Sequence, residues 1–199
     1  MYRRLSCQPP TWGWQVDAFG APHIGERSEA ELIGAFVDRI GQLRPQLVTF
    51  NGTSFDLPVL RYRAMVNRVP AAGLQVRPYF HRYCDDALDL CDALASYGSG
   101  GKVKLDEISK IMGLAGKPQG VDGSQVEAMV NAGQIDEVAR YCESDVLNTY
   151  RVWLVYEHFR GTITTAQLEW SEAQIREFVG ARESANPHLN AAAGIALPN

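Results

Sequence analysis

The run Leu47-Val48-Thr49-Phe50, followed at once by Asn51-Gly52, constrains this chain more than any other stretch. Four apolar or β-branched residues that stop on a turn signal, with helical patterns before and after, read as a buried strand in a sheet covered by helices. The chain is therefore expected to be α/β. Ahead of that strand, Ser28 and Glu31 form a capping-box pattern, and Leu32, Ile33, Phe36, Val37 and Ile40 recur at helical spacing until Gly41. Behind it, Asp56 opens a helix with Pro58 in its first turn and Leu60, Met65 and Val66 further along.

Elsewhere the pattern is clear at the two ends and faint in the middle. Residues 14–19 alternate apolar with polar and predict an antiparallel strand ended by Gly20. After Pro70 comes a loop of basic and aromatic residues, Arg77-Pro78-Tyr79-Phe80-His81-Arg82-Tyr83, then a helix over about 89–97 and a glycine-rich link, Gly98-Ser99-Gly100-Gly101. Helical spacing marks 105–112, 126–132 and, most strongly, 135–159, with a further helix over about 165–182. Residues 183–199, rich in Ala, Asn and Pro, are expected to be a disordered tail.

Composition narrows the class without naming a function. With 199 residues, 46% hydrophobic and 21% charged, the chain can bury a substantial core. A net charge of -4 argues against a protein that coats polyanions, yet a carboxylate-based metal site would itself add negative charge. Cys7, Cys84, Cys91 and Cys142 form no C-x-x-C pair and no zinc spacing with the four histidines, so reduced thiols are expected. No apolar run approaches the ~20 residues that span a bilayer, and the expectation is a cytoplasmic protein that does not engage a membrane.

Two short acidic motifs carry the chemistry. Asp56 follows the strand at a strand-to-helix junction, where a side chain can project into the crevice at the strand's carboxyl end or simply cap the helix. Asp145 lies inside the longest helix, a position that disfavours aspartate unless a partner, a metal or solvent compensates it. Tyr141 precedes Asp145 by one turn, on the same face, as a core residue or as a phenol that orients water. Asp89 and Asp92 read as residues that cap and solvate their helix rather than as metal ligands, and Lys117 as a solvated surface lysine. The basic and aromatic loop 77–83 suits a single strand of nucleic acid, or is an ordinary irregular loop.

Together, Asn51-Gly52-Thr53-Ser54-Phe55-Asp56 and Tyr141-Cys142-Glu143-Ser144-Asp145 resemble the second and third motifs of the DEDDy 3'-5' exonucleases. The likeness is strongest to the predicted exonucleases related to the proofreading domain of family B DNA polymerases. It runs on through Asp89-Leu90-Cys91-Asp92, residues 105–113, Gly116-Lys117 and Asp122-Gly123, and covers roughly residues 3–160. The resemblance implies an RNase H-like (DEDD exonuclease) fold, a mixed sheet flanked by helices, over residues 1–160. A helical extension, 161–182, and the tail would follow.

The same resemblance implies two-metal hydrolysis of phosphodiesters, with Mg²⁺ or Mn²⁺ as the ions and nucleic acid with a free 3' end, single-stranded DNA above all, as the partner. Asp56, Tyr141 and Asp145 would be catalytic, with Asp56 and Asp145 holding metal, and Asn51, Phe55 and Lys117 would meet the substrate. The family's first motif, Asp-x-Glu on the opening strand, has no counterpart, since Glu29 and Glu31 fall in a helix cap. The first central strand is thus expected to be missing, with residues 3–7 a remnant of the second, and the metal site incomplete. The activity of this chain is expected to be slow or lost. A catalytically inactive domain that binds nucleic acid or a protein is the alternative, and self-association through an unpaired sheet edge is a further expectation.

Overall fold

The computed structural model describes residues 2–4, 13–20, 27–114, 125–181 and 187–194. By its packing the chain divides into two compact units, residues 22–104 and residues 1–21 with 105–199. This division differs from the expected boundaries at 160 and 182, because the helices of the second half pack with the N-terminal strands as one body.

In the unit formed by residues 22–104, α1 (Glu29–Leu43) starts from the expected capping box: the Ser28 hydroxyl accepts the Glu31 N–H, and the Glu31 carboxylate accepts the Ser28 N–H at 2.7 Å. The helix ends on Arg44, in the left-handed region at φ 46°. β3 (Leu47–Thr49) follows, then α2 (Asp56–Val66) and a 3₁₀ turn over Ala72–Gln75. β4 (Ala87–Asp89) pairs with β3 in parallel, Leu47 opposite Ala87 and Thr49 opposite Asp89. The short helix α3 (Leu90–Leu94) leaves β4 directly.

The core of this unit joins Ile33, Val37 and Ile40 of α1 with Leu57 and Ala64 of α2, Leu74, Tyr79 and Ala87. Burial of each aliphatic side chain here contributes ~1.5–3 kcal/mol. Gly73 lets the 3₁₀ turn lie against α1, since a Cβ at this position would sit 2.0 Å from the Val37 carbonyl oxygen. Three sequence expectations are corrected in this unit. The strand β4 was not foreseen, and the helix expected over 89–97 begins one residue later and ends at Leu94. Phe36, Met65 and Val66 are exposed at 45%, 68% and 65%, because the core contacts of α2 run through Leu57 and Ala64 rather than through the bulky residues of its last turn.

In the other unit, β1 (Tyr2–Arg4) pairs antiparallel with β2 (Trp14–Val16). α4 (Leu105–Ile111), α5 (Val126–Asn131), α6 (Ile135–Phe159), α7 (Thr165–Gly180) and α8 (His188–Ala193) complete it. α6 buries Leu147, Tyr150, Val152, Trp153 and Leu154 along its central turns, and α7 contributes Ile175 and Val179. β2 is tied to α7 where the Trp14 N–H donates to the Ser171 hydroxyl at 3.0 Å, and the Trp14 and Trp153 rings meet edge to face at 4.9 Å.

The expectation of a disordered tail does not hold for residues 188–193. Leu189, Ala192 and Ala193 of α8 are buried, His188 pairs with Glu143 of α6 at 2.6 Å, and the Arg151 guanidinium donates to the Ala192 carbonyl at 2.6 Å. A composition rich in Ala and Asn hides this because the partners that order the segment lie on α6, some forty residues upstream.

The fold is thus α/β, mostly helical, with one two-stranded parallel sheet and one two-stranded antiparallel sheet among the described residues. A single mixed sheet is not seen there. No helix among the described residues is long and apolar enough to cross a membrane. Gly73→Ala is expected to destabilise the chain by about 3 kcal/mol, the upper end for overpacking, because the clash is with backbone. Urea unfolding of the variant against the wild type measures it.

Candidate functional site

Chain direction places both β3 and β4 with their carboxyl ends at the turn that precedes α2, the position where open α/β sheets put their ligands. The turn is built around one carboxylate. Asp89, the last residue of β4 and 4% exposed, accepts the Asn51 N–H at 2.7 Å, the Thr53 N–H at 2.9 Å and the Cys91 N–H at 3.0 Å. It therefore caps α3 and holds the turn after β3 with the same two oxygens.

The backbone of the turn has little freedom. Asn51 occupies the left-handed region at φ 69°, which asparagine tolerates better than most residues. A Cβ on Gly52 would fall 2.4 Å from the Thr49 hydroxyl, so only glycine fits. The Ser54 and Phe55 N–H groups both return to the Asn51 carbonyl, and the Leu57 N–H closes onto Gly52 at 2.9 Å. The Asn-Gly dipeptide of the sequence is thus the means by which the chain reverses from β3 into α2.

Asp56 emerges from this turn as the first residue of α2. It is not the cap of that helix: Phe55 holds the cap position and gives no side-chain hydrogen bond. Partial desolvation of the Asp56 carboxylate, with the negative charge of Asp89 adding to it, raises its pKa above the ordinary aspartate value. A hydrogen bond from its own backbone opposes that rise. Phe55 beside it is 61% exposed.

A second set of charges borders the turn. Asp92 is 1% exposed and accepts two hydrogen bonds from Arg82, at 2.9 and 3.1 Å, while Lys102 pairs with it at 3.3 Å. The hydrogen bonds from Arg82 are the main cause that holds the Asp92 pKa below its ordinary value, and burial works the other way. Lys102 also donates to the Asn51 side-chain carbonyl at 3.2 Å and lies 3.5 Å from the Ser54 hydroxyl. The expectation that Asp92 is solvated is corrected, because its helix is laid against β3 and β4 and its charge is neutralised by cations from two loops. Sequence reasoning missed Lys102 altogether. Its position just past a glycine-rich link that can fold back was the available signal.

In the other unit, Tyr141 and Asp145 stand on α6 one turn apart, and both are half-buried. Beside them the Glu143–His188 pair and the Ser144 hydroxyl, which donates to the Arg140 carbonyl at 3.1 Å, fix this part of the helix. Asn51, Phe55 and Asp56 are therefore brought together by one turn, and Tyr141 and Asp145 by one helix. Lys117 and the neighbouring Asp122 lie outside the described residues.

No group of three or more His, Cys, Asp or Glu among the described residues is placed to hold a metal. Asp89 spends both oxygens on backbone N–H groups and Asp92 spends both on Arg82 and Lys102, while Asp56 is an exposed residue at the start of α2.

A family model described as a predicted 3'-5' exonuclease related to the exonuclease domain of PolB matches residues 14–193. Neither the curated proteins nor the solved structures contain a match to the chain.

Two outcomes are expected from the charges of the turn. Because the Asp56 pKa is raised, its ionised form opposes folding at neutral pH and that penalty disappears as pH falls through the raised value. Asp56→Asn should therefore match or exceed the wild type in thermal stability at pH 7, with a clear loss of stability counting against this account. The lowered pKa of Asp92 has the opposite sign: its contribution is complete above the ordinary aspartate value of about 3.9 and is lost as pH falls below it. Urea unfolding between about pH 6 and pH 2 should show a steeper acid loss for the wild type than for Asp92→Asn.

Proposed function

The chain belongs to the family of predicted 3'-5' exonucleases related to the PolB exonuclease domain, and from this we propose that it works on the 3' end of single-stranded nucleic acid, DNA above RNA, as a slow metal-dependent nuclease. The observation that carries the reading is the family match over residues 14–193, to which the constrained turn before Asp56 adds a physical reason. A turn that is locked by a buried carboxylate and an obligatory glycine presents Asp56 in one place, and fixed placement is what a catalytic carboxylate needs.

In this reading the fold is RNase H-like. Asp56 and Asp145 would each give a carboxylate to a divalent ion, Mg²⁺ or Mn²⁺. Tyr141 orients water, and Asn51, Phe55 and Lys117 meet the nucleotide. Without an Asp-x-Glu pair the ligand set is short, so ions bind weakly and hydrolysis is slow. Self-association through an unpaired sheet edge is also part of the proposal, to be read by sedimentation.

One observation favours a second reading, an inactive domain of the same family that binds nucleic acid or a protein: Asp89 and Asp92, the buried acids beside the Asp56 turn, are filled by backbone N–H groups and by Arg82 and Lys102. A 5'-labelled single-stranded DNA with Mn²⁺ separates the two. Slow laddering from the 3' end that Asp145→Ala and Asp56→Asn each abolish is the expected result. Absence of cleavage by the wild type would support the second reading, and rapid digestion that survives both substitutions would overturn the assignment of these residues.

A further inference from the structure

An exposed aromatic pair stands next to the charges that border the Asp56 turn. Tyr83 is 67% exposed and Tyr97 is 39% exposed, and their rings meet edge to face with centroids 5.4 Å apart. The Arg82 guanidinium lies 5.9 Å from the centre of the Tyr83 ring. Arg82 then bonds Asp92, Asp92 pairs with Lys102, and Lys102 reaches Asn51 and Ser54. One continuous line of contacts thus joins the two rings to the turn that presents Asp56.

Three features of this line suit a single strand of nucleic acid rather than a folded interior. Arg82 and Lys102 share one buried carboxylate, Asp92, and their side chains are 41% and 44% exposed, so both cations stand open to a polyanion. Large aromatic rings left in water cost solvation free energy unless something covers them, and bases offer flat faces of matching size.

The third feature is backbone strain. Ser96 and Tyr97 are consecutive non-glycine residues in the left-handed region, at φ 48° and 53°, and no other adjacent non-glycine pair among the described residues shares it. Such a conformation persists only where the surroundings enforce it, and it recurs at ligand clamps. Here it directs the Tyr97 ring onto Tyr83.

We infer that Tyr83 and Tyr97 form a base-stacking platform, and Arg82 and Lys102 its phosphate contacts, for the single strand whose 3' end lies at the Asp56 turn. The inference rests on the functional reading above and adds to it the track by which the strand approaches. Arg82 has a further part as a positioning residue, because it holds Asp92 and through it Lys102.

The test is binding without turnover. A fluorescein-labelled oligothymidine of about ten nucleotides is titrated with the full chain in EDTA, and anisotropy is read. The Tyr83→Ala/Tyr97→Ala double variant should bind at least about tenfold more weakly, as expected for the loss of base stacking. The Tyr83→Phe/Tyr97→Phe variant, which keeps the ring faces, should bind like the wild type. Lys102→Gln should lower the slope of log K against log salt by about 0.7. Binding by the double alanine variant equal to that of the wild type, with circular dichroism unchanged, overturns the platform and leaves the exonuclease reading standing. A wild type that binds no single strand, with or without Mn²⁺, removes both.

Discussion

The carboxylate of Asp89 is the constraint on which the candidate site depends. Three backbone N–H groups converge on it, from Asn51, Thr53 and Cys91, and they belong to the turn after β3 and to the first turn of α3. Bonds to an ionised acceptor are worth more than neutral ones, ~1.5–3 kcal/mol each, and a buried carboxylate is tolerated only when its lone pairs are filled in this way. The parallel pairing of β3 with β4 delivers Asp89 opposite Thr49, so the sheet register itself sets the turn. Local chemistry and topology are one device here.

That device explains the roles of its neighbours. Gly52 allows the turn to close over Thr49, Asn51 accepts a left-handed backbone, and Lys102 fastens the Asn51 side chain. Asp56 follows as the first residue of α2, its pKa raised by partial desolvation and by the charge of Asp89. In the other unit the long helix α6 is stabilised by its buried central turns and by the α8 contacts through Glu143 and Arg151, and it carries Tyr141 and Asp145 as fixed points on a stiff rod. Asp56 thus stands on the turn that opens α2, and Tyr141 and Asp145 on the long helix α6 of the other unit.

Much of this was legible in the sequence. The capping box at Ser28, the strand at Leu47, the helix over 135–159 and the family itself are all written in periodicity and motif, because those signals are local. What escaped was set by contacts distant along the chain. Ala87-Leu88-Asp89 is too short to show a period and becomes a strand only against β3. The residues of α8 look like tail until Glu143 and Arg151 hold them. Asp89 and Asp92 looked like ordinary surface acids of a helix start, and nothing local reveals that one is filled by distant backbone and the other by Arg82 and Lys102. The faces of α1 and α2 were misjudged by size: Phe36 and Met65 are large but face outward, while Ala64 is in the core.

The most direct measurement of the central claim is amide hydrogen exchange at Asn51 and Thr53, followed by NMR in the wild type and in Asp89→Asn. Both amides sit in a loop-like turn whose N–H groups would exchange quickly if open to water. The account predicts slow exchange at both in the wild type, lost together in Asp89→Asn while the amides in the middle of α6 keep their protection. Fast exchange at Asn51 and Thr53 in the wild type would contradict it, for the turn that presents Asp56 would then not be held by Asp89.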